Sequence, residues 1–167
     1  MRIFLVVPFV FLTALPAHAQ ELVFSMRATD ACIGDAAPGA EAACVGRSAE
    51  QCMIDSEGGG SNLGASLCYR KESEAWDARL NAWYREALRE AREADADMEG
   101  MSFTPPSQEE ALRRMQRAWI AFRDAKCEHV ASLYQGGTGA GPASAECQMY
   151  ETGVQAIYLR RLLNEEY

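Results

Sequence analysis

Six cysteines constrain the fold of this chain more than any other feature of its sequence. They are Cys32, Cys44, Cys52, Cys68, Cys127 and Cys147. An even number of cysteines in an exported protein predicts disulfide bonds, here three, because extracytoplasmic compartments are oxidising. A zinc site is disfavoured, because the chain has no C-x-x-C pair and His129 is its only histidine beyond residue 19. Six cysteines allow 15 pairings, and their number alone does not choose among them.

The first residues predict export. Arg2 supplies a positive charge, residues 3–15 are apolar, and residues 17–19 (Ala-His-Ala) match the small-residue pattern that signal peptidase cleaves. A membrane span needs about 20 apolar residues, so this run is too short for one. We therefore expect residues 1–19 to be a signal peptide and residues 20–167 to form a single domain. No cysteine follows the cleavage site directly, so we expect a periplasmic protein without a lipid anchor.

The expected mature chain is strongly acidic. The formal net charge is −8 for the full sequence, and loss of Arg2 with the signal peptide leaves −9. Lys71 and Lys126 are the only lysines, and no basic run is present, so we expect no nucleic-acid partner. No other apolar stretch is long enough to cross a membrane, so we expect no membrane span. An acidic surface favours solubility and can also speed association with basic proteins.

Hydrophobic periodicity predicts an all-α fold, a small disulfide-stapled array of about three longer helices preceded by short ones. The strongest apolar stripe contains Trp76, Leu80, Trp83, Tyr84, Ala87, Leu88 and Ala91. The predicted segments are short helices over residues 24–36 and around 48–54, and longer helices over 64–94, 107–135 and 144–163. In the fourth of these helices Leu112, Met115, Trp119, Phe122, Val130 and Leu133 form the stripe, and in the last Tyr150, Val154, Ile157 and Leu162 face inward.

Local signals mark where these helices begin and which cysteines meet. Ser48 with Gln51, and Ser107 with Glu110, have the spacing of capping boxes. A glycine-rich segment, residues 136–142, separates the last two helices. A hairpin of these helices would join Cys127 to Cys147. We also favour the pairs Cys32–Cys44 and Cys52–Cys68, because each would staple one helical hairpin.

Few side chains are suited to catalysis, and we expect no catalytic residue, cofactor or metal. Nucleophilic catalysis of the Ser-His-Asp kind needs an imidazole, and His129 lies in a polar stretch typical of a helix surface. Glu74 and Asp77 flank Trp76 and are the only candidate pair for carboxylate-based glycoside hydrolysis. Pairing with arginines on a solvated helix face is the simpler interpretation of both acids.

The glycine-rich segment does not match a phosphate-binding loop, because Pro142 stands where Lys-Ser or Lys-Thr would be needed. It is either a connector or a loop that projects into a partner's cleft. Our candidates for partner contact are therefore Gly136, Gly137, Thr138 and Gly139. The tryptophans are expected in the core. A polar seam that fixes helix register is predicted between Asp77 and Asn81 on one helix and Gln116, Arg123 and Asp124 on another.

Two compound motifs resemble the LprI-type lysozyme-inhibitor family of bacterial envelope proteins. The first is Cys68-Tyr69, Glu72, Glu74, Trp76-Asp77, Leu80-Asn81 and Tyr84; the second is Gln116, Trp119, Phe122-Arg123-Asp124, Cys127, the glycine loop, Cys147 and Thr152. The resemblance covers residues 32–163. One departure is Gln155, where the family often has arginine.

The resemblance implies a binding module that inhibits lysozyme without catalysis of its own. Animal c-type lysozymes are basic, so a chain of charge −9 would be steered toward them in a salt-sensitive way. The glycine loop and the acidic residues 93–99 are the candidate contact surfaces. Two alternatives stay open at this point: a structural or stress-related envelope protein with another partner, and a carboxylate-based glycosidase.

Overall fold

A computed structural model describes residues 22–103 and 105–164 of the chain. The expected signal peptide, residues 1–19, lies outside the described residues. Within the described part the chain forms five α-helices and one short 3-10 helix, with no β-strand. The predicted all-α class is therefore confirmed.

Three long helices form the body of the protein, and the N-terminal elements cover one side of it. The elements are α1 (Arg27–Asp35), the 3-10 helix (Glu41–Cys44), α2 (Arg47–Asp55), α3 (Asn62–Asp97), α4 (Gln108–Ser132) and α5 (Ala140–Leu163). Helix α3 packs mainly along α5, and α4 packs against both. Helix α2 lies on α3 and contacts α1, while the 3-10 helix contacts α1 and α5.

The core lies where α3 and α5 meet beneath α2. Its buried members include Ala49, Trp76, Leu80, Met149, Ala156, Ile157 and Leu159. The predicted stripe of α3 is confirmed: Trp76 and Leu80 are buried, and Trp83 and Tyr84 pack against the core as partly buried residues. The packing of α5 against the core requires a glycine at position 153. A Cβ added to Gly153 would lie 2.7 Å from the side chain of Val45.

Three residues predicted to face inward are exposed instead, namely Phe122, Leu133 and Tyr150. The first half of α4 does bury its stripe as predicted, through Leu112, Met115 and Trp119. In the second half the disulfide turns the face of Cys127 toward α5. Since Phe122 lies five residues before Cys127, it points about 140° away around the helix.

Three disulfides connect neighbouring elements. They join Cys32 to Cys44, Cys52 to Cys68, and Cys127 to Cys147, which are the favoured pairs. The first links α1 to the 3-10 helix, the second links α2 to α3, and the third links α4 to α5. In the chain-entropy model, closing loops of this size stabilises a fold by about 3 kcal/mol each.

One of the two predicted capping boxes is present in part. Ser107 is the N-cap of α4, and its Oγ accepts a hydrogen bond from the Glu110 N–H at 3.1 Å. The Glu110 carboxylate does not return to the cap but pairs with Arg114 on the solvent side. Asp95, at the end of α3, provides the second acceptor instead and joins the two helix ends. Its carboxylate accepts from the Ser107 hydroxyl and from the N–H groups of Gln108 and Glu109.

The capping box predicted at Ser48 is wrong. The N-cap of α2 is Gly46, whose φ of +101° suits glycine, and Ser48 is buried in the first turn. The free N–H groups at this helix start are satisfied by side chains of α1 and α3, which lie far away in sequence. Local spacing therefore could not reveal how α2 begins.

Candidate functional site

The glycine loop between α4 and α5 is short and hydrogen-bonded. The Gly137 N–H donates to Tyr134 O at 2.8 Å, and the Ala140 N–H donates to Gly137 O at 3.1 Å. Thr138 Oγ1 accepts a hydrogen bond from Asn62 Nδ2 at 2.9 Å, which ties the loop to the first residue of α3. The loop therefore has a defined position beside the start of α3.

Helix α5 begins at Ala140, earlier than the predicted residue 144. Pro142 is accommodated because an N–H in the first helical turn has no partner within the helix. The exposed part of the loop is accordingly limited to Gly136, Gly137 and Thr138, while Gly139 is the N-cap of α5. Gly139 packs under the ring of Tyr134, since a Cβ there would lie 2.6 Å from Tyr134 Cε1.

A cleft of about 350 Å³ lies beside this loop, between α2, α4 and the start of α5. We call it the tyrosine cleft. Among the residues that line it are Tyr69, Tyr134 and Tyr150, Glu50, Glu146 and Glu151, and Lys126. Tyr134 lines the cleft and packs on Gly139 of the loop, so the two features form one continuous surface. Periodicity predicted Tyr150 to face inward, but its side chain is exposed because it lines the tyrosine cleft.

The side chains that line the tyrosine cleft carry a net negative charge. Lys126 Nζ lies 2.6 Å from Glu151 Oε1, so this pair is close to neutral. Glu50 pairs with Arg47 at 3.2 Å, so Glu146 contributes the remaining negative charge. Burial, and then the charges of Glu146 and Glu50, raise the pKa of the Tyr69 phenol above its ordinary value. Negative charge beside aromatic faces suits a lysine or arginine side chain, because both attract a cation.

The candidate acid pair Glu74 and Asp77 lies on the exposed surface of α3. Glu74 pairs with Lys71 at 3.0 Å, and Asp77 accepts a hydrogen bond from Asn81 at 2.8 Å. Neither acid lies in a cleft or an apolar environment, which a general acid for glycoside hydrolysis requires. His129 is also exposed. These positions favour the interpretation of a solvated helix face.

The predicted polar seam between α3 and α4 is wrong, because its members bond within their own helix or to α5. Gln116 is buried, but its Oε1 accepts from Gln155 Nε2 of α5 at 3.0 Å and not from a residue of α3. Asp77 and Asn81 pair with each other on the surface. Arg123 stacks on Trp119, with its guanidinium carbon 4.9 Å from the ring centroid. Gln155, the position that departs from the family pattern, thus joins α4 to α5 through a neutral hydrogen bond.

A buried carboxylate, which the sequence analysis named only as a member of the first motif, organises the N-terminal elements. Glu72 is 0% exposed. Its Oε1 accepts from the hydroxyl of Thr29 at 2.9 Å, the N–H of Gly46 at 2.8 Å and the indole N–H of Trp76 at 3.1 Å. Its Oε2 accepts from the N–H of Ala49 at 2.7 Å. We call these residues, together with Ser48, the Glu72 cluster.

The Glu72 cluster joins the starts of α1 and α2 to α3. Gly46 and Ala49 provide N–H groups from the first turn of α2, where the helix dipole favours a negative charge. Ser48 and Thr29 complete the arrangement reciprocally: the Ser48 N–H donates to Thr29 Oγ1 and the Thr29 N–H donates to Ser48 Oγ, both at 3.0 Å. The signal in the sequence was a glutamate one turn before Trp76 on the buried stripe.

The described residues contain neither a candidate metal cluster nor a helix that could span a membrane. No group of three or more His, Cys, Asp or Glu side chains there is arranged to hold a metal ion. None of the helices in the same part of the chain is long and apolar enough to cross a membrane.

Two curated relatives are similar to this chain, and both are uncharacterized proteins. Protein R02472 of Rhizobium meliloti (strain 1021) is 30% identical over 103 residues, which cover 62% of this chain and 74% of that protein. Protein YecT of Escherichia coli (strain K12) is also 30% identical over 103 residues, covering 59% of this chain and 62% of the relative. No solved structure matches significantly.

A family model described as lysozyme inhibitor LprI matches residues 52–159. The match begins at the cysteine that ties α2 to α3, and it includes α3, α4, the glycine loop and most of α5. It also contains most residues that line the tyrosine cleft and both motifs noted in the sequence. Because the matched segment is more than half of the chain, the protein belongs to the LprI lysozyme-inhibitor family.

Proposed function

We propose that this protein is an exported periplasmic module that binds lysozyme and inhibits it without catalysis. We further propose that residues 1–19 are removed and that residues 20–167 fold as one domain. The observation that carries the proposal is the tyrosine cleft beside the glycine loop, a negatively charged, aromatic concavity on an acidic member of a lysozyme-inhibitor family.

Charge supports a basic partner at two distances. At long range, a net charge of −9 on the mature chain would accelerate encounter with a basic protein, and salt would weaken this effect. At short range, the cleft offers Glu146 to a cationic side chain and the rings of Tyr69 and Tyr150 to its alkyl stem. A lysine or arginine of a c-type lysozyme has this combination of charge and apolar length.

The loop supplies the rim of the same surface. Gly136, Gly137 and Thr138 are exposed, and the hydrogen bond from Asn62 to Thr138 holds them beside the cleft. A rim that is already ordered loses little conformational entropy on binding, which favours affinity. The loop therefore acts as a positioned edge of the contact surface, with Tyr134 connecting it to the cleft.

A muramidase inhibition assay tests the proposal. The mature, oxidised protein is titrated against a c-type lysozyme at low and at physiological salt. We expect stoichiometric inhibition that weakens as salt increases. Glu146→Gln and Tyr150→Ala should each raise the inhibition constant about tenfold or more, as expected for central contacts. Glu74→Gln is the matched control, because this acid is exposed on α3 outside the cleft, and it should change the constant less than about twofold.

A second variant separates the loop from the cleft. Thr138→Ala keeps the loop length and the glycines of the turn but removes the hydroxyl that accepts from Asn62, and it should weaken inhibition less than the cleft variants. No inhibition at large molar excess, with helix content confirmed by circular dichroism, would refute the inhibitor function. Inhibition that all cleft and loop variants retain at full strength would refute the assigned surface only.

A further inference from the structure

A second concavity, of about 410 Å³, lies between the 3-10 helix and the last turns of α5. It shares no lining residue with the tyrosine cleft. Its apolar walls are formed by Ala42, Val154, Ile157, Leu162 and the ring of Tyr158. Its polar side-chain groups are the carboxylate of Glu41, the guanidinium of Arg161 and the hydroxyl of Tyr158. The volume is within the range of sites that take a small ligand or a single large side chain.

Glu41 is unusual in this pocket because it is buried without a full set of partners. It is 7% exposed, and within the described part of the chain its Oε2 accepts no hydrogen bond. Its other oxygen lies 3.6 Å from the nearest guanidinium nitrogen of Arg160, an ion-pair distance too long for a hydrogen bond. A buried carboxylate oxygen without a donor is destabilising, so a donor from a ligand would be favourable here.

The charges around Glu41 indicate that this donor is neutral. Arg160 already pairs with Glu41, and Arg161 lies on the pocket wall, so a cationic ligand would meet two positive groups. Arg161 has five N–H donors and can serve a ligand oxygen in addition to the contacts it already makes. The complementary ligand group therefore carries one N–H donor, one oxygen acceptor and an apolar substituent.

We propose that this pocket binds an apolar residue of an extended peptide segment. The backbone N–H of that residue donates to the Glu41 carboxylate, and its carbonyl oxygen accepts from Arg161. Its leucine-like side chain lies among Val154, Ile157 and Leu162. Glu41 lines the pocket but its Oε2 is buried, so binding includes a rotation of the carboxyl group, whose terminal torsion is soft.

An acetamido sugar carries the same amide, but the pocket favours a peptide. Sugar hydroxyls need hydrogen-bonding partners, whereas the walls formed by Ala42, Val154, Ile157 and Leu162 offer none from their side chains. The apolar walls instead match an aliphatic side chain. This inference is independent of lysozyme inhibition, because the pocket and the tyrosine cleft have separate residues.

The test is an NMR titration of the mature, oxidised, ¹⁵N-labelled protein. The probes are N-acetyl-L-leucine N-methylamide and the trisaccharide of N-acetylglucosamine. We expect the leucine probe to cause saturable shifts at the amides of Ala42, Ile157 and Leu162. Glu41→Gln should weaken this binding about tenfold, because a neutral acceptor replaces a charged one. Glu110→Gln, an exposed acid on α4, is the control and should leave it unchanged.

Each other outcome overturns the proposal. Shifts with the trisaccharide alone would assign the pocket to a sugar. No saturable shift with either probe, in a spectrum dispersed as for a folded protein, would mean that the pocket takes neither. Equal binding by the wild type and Glu41→Gln would remove the assigned role of the carboxylate. Val154→Phe, which fills the pocket at its partly exposed wall, should abolish the shifts and provides a second, independent readout.

Discussion

Glutamine in place of Glu72 tests whether a buried carboxylate holds the N-terminal helices on α3. The substitution keeps the size of the side chain but replaces one oxygen with an NH₂ group. If Oε1 is kept, the NH₂ group faces the Ala49 N–H, so two donors oppose each other. If the amide is flipped, the NH₂ group faces the three donors of Thr29, Gly46 and Trp76. Neither orientation satisfies the cluster.

The expected cost follows from these contacts. One buried N–H without an acceptor costs about 1–3 kcal/mol. The three remaining hydrogen bonds change from charge-assisted to neutral and lose about 1 kcal/mol each, while the removal of a buried charge offsets part of this loss. We therefore expect Glu72→Gln to lower the free energy of unfolding by about 3 kcal/mol. For a domain of this size, that corresponds to a decrease of about 10 °C in Tm.

Urea unfolding with intact disulfides measures this change, and amide hydrogen exchange locates it. The amides of Gly46 and Ala49 lose their charged acceptor in the variant, so we expect them to exchange faster. The Cys52–Cys68 disulfide keeps α2 attached to α3, so this effect should stay local. The matched control is Glu74→Gln, two residues away on the exposed side of α3, which should change stability by less than about 0.5 kcal/mol. Equal stability of the two variants would refute the structural role assigned to Glu72.

Two further substitutions separate local from tertiary effects. Gly153→Ala improves helix propensity by about 1 kcal/mol, yet it should destabilise the protein by about 1 kcal/mol or more in urea unfolding, because the new Cβ would lie 2.7 Å from Val45. Val45→Ala should relieve the effect in the double variant; a more stable Gly153→Ala protein would contradict the packing. The hydrogen bonds from the N–H of Gln108, the hydroxyl of Ser107 and the N–H of Glu109 hold the pKa of Asp95 below its ordinary value of 3.8. The stabilising contribution of Asp95 is thus complete above that value and is lost as the pH falls through the lower folded pKa. Urea unfolding measures the decrease in the free energy of unfolding between neutral and acidic pH. We expect this decrease to be smaller for Asp95→Asn than for the wild type, and equal decreases would contradict this role.

The sequence predicted those parts of the fold that depend on neighbouring residues. The three long helices follow from apolar spacing within each segment, and the start of α4 follows from Ser107. The disulfide pairs followed from the same logic, because each joins elements adjacent along the chain. A helix-forming pattern depends only on neighbouring residues. A short connection keeps two consecutive elements close together, and so brings the cysteines on them within reach of each other.

Features that need distant segments to meet were not predictable in this way. Spacing suggested Ser48 as an N-cap, yet the start of α2 is satisfied by Thr29 and Glu72 from other helices. Periodicity placed Tyr150 inside, yet it lines a cleft whose other walls come from α2, α3 and α4. The side chains on a helix repeat with the same geometry whatever lies opposite them.

The sequence by itself therefore determined the helical class, the favoured disulfide pairs and the acidic charge, since each is a property of short segments or of composition. Only the tertiary structure decided which polar side chains are buried and which surfaces are concave. Glu72 and Glu74 show the difference most directly. They lie two residues apart on one helix, but their side chains point to nearly opposite sides of it. Glu72 is therefore buried under α2, and Glu74 lies in solvent.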